Sequence, residues 1–133
     1  MTRPWRPAGE KPLHWVGASR KDLLAFSADV VSSIGYALGV VQFGGRPPTA
    51  KSWKGLGPGV LEIVEGDAAG TYRAVYTVRF ARAIYVLHVF QKKSPSGIRT
   101  SRTDVRLIED RLKLARDDYE VRYGGEAEGD RRG

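Results

Sequence analysis

Apolar residues recur at spacings of three and four along two long segments of the chain, which is the period of one helix face. The first segment contains Leu23, Phe26, Val30, Ile34, Leu38 and Val41, and the second contains Val105, Ile108, Leu112, Ala115 and Tyr119. We therefore predict two amphipathic helices.

The ends of these helices are also marked in the sequence. Ser19 with Asp22, and Ser101 with Asp104, have the spacing of a capping box, in which the serine starts the helix and the acidic residue lies in its first turn. Gly35 and Gly39 interrupt the first segment, which favours a break into two helices near them. A run of glycines and prolines ends this segment: Gly44, Gly45, Pro47 and Pro48.

Four other segments have the composition or alternation of β-strands. They are 13–18, 60–65, 72–80 and 84–91. Strict alternation in the last one predicts Ile84, Val86, His88 and Phe90 on one face and Tyr85, Leu87, Val89 and Gln91 on the other. Short links between the last three strands predict an antiparallel meander. The fold class is therefore α+β, with helices packed on one face of a small, mostly antiparallel sheet.

The length of 133 residues suits one domain. Residues 1–12 are basic and proline-rich, and we interpret them as a flexible arm. Residues 123–133 are rich in glycine and charge, and we interpret them as a disordered tail. The domain itself is expected to span 13–122.

Composition narrows the possible partners. The net charge of +7 favours a polyanionic partner, either a nucleic acid, an anionic membrane surface or an acidic protein. The chain has no cysteine and only two histidines, none of them at a metal-ligand spacing, so no metal or other cofactor is predicted. The N-terminus lacks the apolar core of a signal peptide, and no apolar run is long enough to span a bilayer. A cytoplasmic protein without membrane contact is expected.

Cations and aromatic side chains concentrate in the predicted sheet and its loops: Lys51, Lys54, Arg73, Tyr76, Arg79, His88, Lys92 and Lys93. Metal-free RNA cleavage needs a base for the 2′-hydroxyl, a cation for the phosphorane and an acid for the leaving oxygen, and these residue types can supply all three. Aromatic rings can also stack on unpaired bases. Structural roles stay open beside these functional ones: His88 as a half-buried histidine, the lysines as solvated charges, and the tyrosines as core.

Several motifs resemble those of phage-related HigB/RelE-like toxins of the RelE/ParE superfamily. They are "SIGYALGVVQFG" at 33–44, "SWKGLGPGVLE" at 52–62, "YRAVYTV" at 72–78 and "IYVLHVFQKKS" at 84–94. The last is the most specific, because Leu-His-x-Phe-x-Lys-Lys is unusual in ordinary proteins.

The resemblance implies a toxin of a type II toxin–antitoxin system that cleaves mRNA on the ribosome without a metal. Its partners would be mRNA and an antitoxin with a helix-turn-helix domain, in a complex that is oligomeric. By position, Arg73, His88 and Lys92 match catalytic residues, and Lys51, Lys54 and Lys93 match RNA-binding ones; Arg79 and Tyr76 join the second group as a strand cation and a stacking ring.

The chain departs from the family in its longer N-terminal arm and C-terminal tail. It also lacks the acidic and histidine residues that smaller HigB proteins carry near the C-terminus, which leaves the general acid and base unassigned. Two other functions remain open: a ParE-like toxin that inhibits DNA gyrase, and a phage nucleic-acid-binding protein without catalysis.

Overall fold

A computed structural model describes residues 9–92 and 101–124, which form five strands and three helices. In chain order they are β1 (Leu13–Trp15), α1 (Ser19–Leu24), α2 (Ala28–Gln42), β2 (Ala50–Ser52), β3 (Val60–Asp67), β4 (Gly70–Thr77), β5 (Ile84–Lys92) and α3 (Arg102–Tyr123). The α+β class is confirmed. Most of the predicted arm and tail, and Lys93, fall outside the described residues. Within the described ranges, no helix combines the length and apolar character needed to cross a membrane.

The strands form one mixed sheet in the order β1-β5-β4-β3-β2. The meander β3-β4-β5 is antiparallel, as predicted, whereas β1 pairs with β5 in parallel. The short edge strand β2 was not predicted. It pairs its three residues with Leu61–Ile63 of β3, and such a short segment shows no alternation of its own by which a sequence could reveal it.

Helices cover both faces of this sheet, so the prediction of a single covered face is wrong. On one face, α2 packs Val30, Ile34, Leu38 and Val41 against strand residues that include Ile63, Ala74, Tyr76 and Val86. On the other face, α3 packs Ile108, Leu112, Ala115 and Tyr119 against Val75, Tyr85 and Leu87. The physical reason is that β4 and β5 are apolar on both sides, and each side must be removed from water.

A β-bulge changes which side chains of β5 share a face. Val75 pairs with His88 but Tyr76 pairs with Val86, so Leu87 is an extra residue in β5. An extra residue shifts the alternation by one. Leu87, His88 and Phe90 consequently lie with Tyr85 on the α3 face, and Val89 lies with Val86 on the α2 face. The predicted faces are therefore wrong from His88 onwards.

The helix starts differ from the prediction in two places. The break falls before Ala28, not at the glycines, because the Ser27 hydroxyl accepts a hydrogen bond from the Val30 amide and starts a new helix. Ser19 is buried and donates to the Val86 carbonyl instead of capping α1. The second predicted cap is confirmed, because the Ser101 hydroxyl accepts from the Asp104 amide.

Helix α2 ends in a Schellman motif. The Gly45 amide donates to the Val40 carbonyl, and the Gly44 amide donates to the Val41 carbonyl. Gly44 has a φ of 91°, which lies in the region that side chains with a Cβ rarely adopt. The predicted stop after residue 43 is thus confirmed and has a definite geometry.

Two glycine-to-alanine substitutions should have opposite effects on stability. Gly44→Ala should lower the free energy of unfolding by about 1 kcal/mol, because it forces a Cβ into the left-handed region. Gly35→Ala should raise it by roughly 0.5–1 kcal/mol, because Gly35 is inside α2. A Cβ there meets no atom within 4 Å. Urea denaturation of both variants checks this, and a Gly44→Ala protein as stable as the parent would contradict the assigned cap.

Candidate functional site

The α3 face of the sheet carries charged side chains on four adjacent strands. Lys51 of β2 is paired with Glu62 of β3, Glu62 with Val75 of β4, and Val75 with His88 of β5. Paired residues on neighbouring strands point to the same side. Arg73 lies two residues before Val75, and Lys92 lies four after His88, so both point to this side as well. We call Lys51, Glu62, Arg73 and Lys92 the sheet cluster.

A buried ion pair lies at the centre of the sheet cluster. The Nη1 of Arg73 donates to the Oε1 of Glu62 at 2.8 Å, and the two side chains are 16% and 9% exposed. The Nε of Arg73 is buried and has no hydrogen-bond partner among the described residues. This donor is therefore not used by the described part of the chain, and a buried donor without a partner is energetically costly. The guanidinium edge that Nε forms with Nη2 is one that can hold two oxygens of a carboxylate or phosphate.

Lys92 is electrostatically coupled to the other three residues. Burial lowers its pKa below the usual lysine value, Arg73 and Lys51 lower it further, and Glu62 opposes them. Three cations thus surround one carboxylate. The cluster has a surplus of positive charge at a place where the Nε of Arg73 has no partner among the described residues, which is the arrangement expected of an anion-binding surface.

His88 is held between the sheet and α3. Its Nε2 is 2.6 Å from the Oδ1 of Asp104, and Arg111 lies 3.3 Å from its Nδ1. Arg111 can only donate, so Nδ1 accepts and Nε2 carries the proton that is shared with Asp104. The ring also stacks on Phe90 with centroids 4.9 Å apart. Both ring nitrogens are engaged and the residue is 6% exposed. His88 is thus more deeply buried than the half-buried structural histidine that the sequence left open.

The other predicted site residues lie apart from the sheet cluster. Arg79 donates to the carbonyls of Leu56 and Pro58 and so fixes the loop between β2 and β3. Lys54 is exposed in that same loop. Tyr76 is 1% exposed and lies on the α2 face. Of the eight residues predicted, the structure brings together Lys51, Arg73 and Lys92, with His88 beside them.

Sequence reasoning missed the groups that hold these cations in position. Glu62 is treated in the sequence analysis only as part of a motif. In a strand, however, Glu62 lies on the same face as Val60 and Val64, and a glutamate between two valines on one face is a sign of a buried charge that needs a partner. Asp104 was assigned to the helix cap, and it serves both Ser101 and His88. Arg111 gave no signal, because its role depends on the bulge that brings His88 to α3.

Together these features define a small α+β protein with a basic cluster on one face of a mixed sheet. The model of the family described as Phage derived protein Gp49-like (DUF891) matches residues 21–113, and the chain belongs to this family. The matched range contains the entire sheet cluster and His88. This confirms the expected phage-derived family.

A chain of the crystal structure of the toxin–antitoxin complex RelBE2 from Mycobacterium tuberculosis is similar to this chain. The TM-score is 0.46 at 16% sequence identity, and the match covers 62% of this chain and 99% of that one. A comparison with curated proteins finds no match.

The coupling within the sheet cluster predicts how the Lys92 pKa responds to substitution. Arg73→Gln should raise it, because a neighbouring positive charge is removed, and Glu62→Gln should lower it further. Lys51→Gln, at an exposed position, should raise it slightly. NMR titration of methyl-labelled lysines in the three variants measures these shifts. Shifts of the same sign for Arg73→Gln and Glu62→Gln would contradict the described geometry.

Proposed function

We propose that this protein is the toxin of a type II toxin–antitoxin pair, and that it cleaves mRNA on the ribosome without a metal. The observation that carries the proposal is the Arg73 Nε, which has no hydrogen-bond partner among the described residues, within a surplus of positive charge. Membership in a phage-derived family and the HigB/RelE-like motifs agree with it. We infer a cytoplasmic protein whose antitoxin carries a helix-turn-helix domain.

In this proposal Arg73 binds the scissile phosphate. A guanidinium stays charged at any physiological pH, and its planar edge can hold two phosphate oxygens at once. The ion pair with Glu62 fixes the plane of the guanidinium by occupying Nη1. The phosphate would contact Nη2 and, after a local movement that exposes it, the buried Nε. Lys92 adds a second positive charge for the dianionic phosphorane. Lys51, exposed on the edge strand β2, would contact an adjacent phosphate.

Proton transfer can be assigned to two residues of this site. Glu62 is the carboxylate nearest to Arg73, and we propose it as the base that accepts the 2′-hydroxyl proton. His88 is proposed as the group that donates to the leaving 5′-oxygen. For this role Nδ1, which accepts from Arg111 at 3.3 Å, would have to leave that contact and take up a proton from solvent, and the imidazolium would then pass this proton to the leaving oxygen. Asp104 would then hold the ring in place from the other side.

Expression of the chain should stop growth, and co-expression of its antitoxin should restore growth. The surplus of cations on the α3 face suits an acidic antitoxin segment as well as RNA. The antitoxin could therefore inhibit the toxin by binding to the same surface as the RNA. The measurement is growth after induction, with the soluble protein quantified and with the gene next to this one supplied in trans. Normal growth at a verified level of soluble protein would contradict the toxin proposal.

Substitutions in the sheet cluster should strongly reduce cleavage, and Arg73→Ala should also lower the melting temperature, because it leaves the buried Glu62 without its partner. Arg73→Ala and Lys92→Ala should each reduce mRNA cleavage by about two to three orders of magnitude, the usual effect of removing one such group. Arg73→Lys should also be impaired, because it keeps the charge but loses the planar edge. Primer extension on mRNA from cells that express each variant gives the readout.

Arg122→Ala is the matched control for these variants. Arg122 pairs with Asp118 near the C-terminal end of α3, away from Asp104 and His88. This variant should cleave like the parent, and thermal melts should show that all variants are folded. If Arg73→Ala still arrests growth without mRNA cleavage, the target is not RNA, and gyrase inhibition becomes the explanation. Equal cleavage by Arg73→Ala, Lys92→Ala and the parent would remove the sheet cluster from the active site.

A further inference from the structure

The α2 face of the sheet contains a pocket that the proposed RNA chemistry does not use. Its volume is about 550 Å³, and it lies between the end of α2, the loop before β3 and the end of β4. Val41, Leu61 and Ile84 are among its apolar walls, and Lys11 and Arg46 are its basic residues. We call it the α2-side pocket. Its volume falls in the range of roughly 300–1,000 Å³ that is typical of small-molecule sites.

Tyr76 is the buried polar group of this pocket. The residue is 1% exposed and lines the pocket. Burial raises its pKa to about 12, and the Arg46 guanidinium opposes this shift. Tyr76 is therefore a neutral hydrogen-bond donor at physiological pH, and it lies within electrostatic range of Arg46.

The two basic residues are fixed at the end of α2. The Lys11 amide donates to the Gln42 carbonyl at 2.8 Å, and the Gln42 side-chain amide donates to the Lys11 carbonyl at 2.9 Å. Arg46 follows directly after the Schellman motif of Gly44 and Gly45. The backbone at both cations is thus ordered before any ligand binds, which lowers the entropic cost of binding.

We propose that the α2-side pocket binds a small organic anion with an apolar body, such as an aromatic or branched-chain carboxylate. The anionic group would lie between Lys11 and Arg46, an oxygen of the ligand would accept from the Tyr76 hydroxyl, and the body would contact the apolar walls. A small molecule is favoured over a protein segment because the pocket is a single concavity of the right volume. The proposal does not depend on RNA cleavage, whose residues lie on the opposite face.

The test uses the whole protein and two fluorescent probes of nearly the same shape. Anilinonaphthalene sulfonate is an aromatic anion, and phenylnaphthylamine is its uncharged analogue. The sulfonate should bind with a stoichiometry of one and roughly tenfold or more tighter than the uncharged probe, as expected for a charge-assisted contact. Amide chemical shifts of Gly57 and Val78, both in the pocket lining, should change on addition of the sulfonate.

Three variants and one control locate the site. Arg46→Glu should weaken binding of the sulfonate about tenfold or more, and Tyr76→Phe, which keeps the ring, about two- to tenfold. Ser52→Trp, on the exposed edge strand, should fill the pocket and abolish binding of both probes. Arg20→Glu makes the same change in net charge on exposed α1 and should alter binding less than twofold. Thermal melts check that each variant is folded.

Three results would overturn the proposal. One is the absence of saturable binding of the sulfonate. Another is a loss in Arg20→Glu as large as the loss in Arg46→Glu, because binding would then follow net charge alone. The third is Arg46-dependent binding of an acidic, leucine-containing peptide in the absence of sulfonate binding, because the occupant of the pocket would then be a protein segment.

Discussion

Both faces of β4 and β5 are apolar, and the rest of the fold follows from the need to bury both. Seven consecutive residues of β5, from Ile84 to Phe90, are buried. In a sheet with one solvent-exposed face, every second residue of a strand would be exposed. The chain meets this constraint by sending α2 to one side and α3 to the other. The two helices have clear apolar stripes because each serves one face only. Short edge strands, β1 and β2, then flank the buried centre and leave little sheet edge open for aggregation.

The same constraint explains where the charged residues lie. On the α3 face, the buried stripe of α3 runs from Ile108 to Tyr119 and covers the part of the sheet around Val75, Tyr85 and Leu87. The bulge keeps Leu87 in this apolar region and turns His88 and Phe90 to the same side. Beyond them the face becomes polar, and Glu62 can stay buried there only because Arg73 pairs with it. The sheet cluster thus lies on the part of the α3 face that the apolar residues of α3 do not cover.

Local patterns predicted what depends on local physics, and failed where distant residues decide. The stripes of both long helices, the Ser101 cap and the stop at Gly44 could be read from spacing alone. The cation set of Arg73 and Lys92 could be proposed from residue type and motif resemblance. The bulge could not, because one extra residue in β5 is visible only against its partner β4, and it reverses every assignment after Leu87. Glu62 was missed for a related reason: a buried carboxylate becomes meaningful only when its partner on the next strand is known.

The parallel pairing of β1 with β5 has a consequence for synthesis of the chain. Leu13 of β1 pairs with Ile84 of β5, and β5 lies between β1 and β4 in the sheet. A chain that emerges from the ribosome in N-to-C order therefore has no strand to which β1 can pair until β5 has been made. The α3 face stays uncovered for longer still, because α3 follows β5 in the chain. The sheet cluster on this face is complete only after Lys92, at the end of β5, has been made.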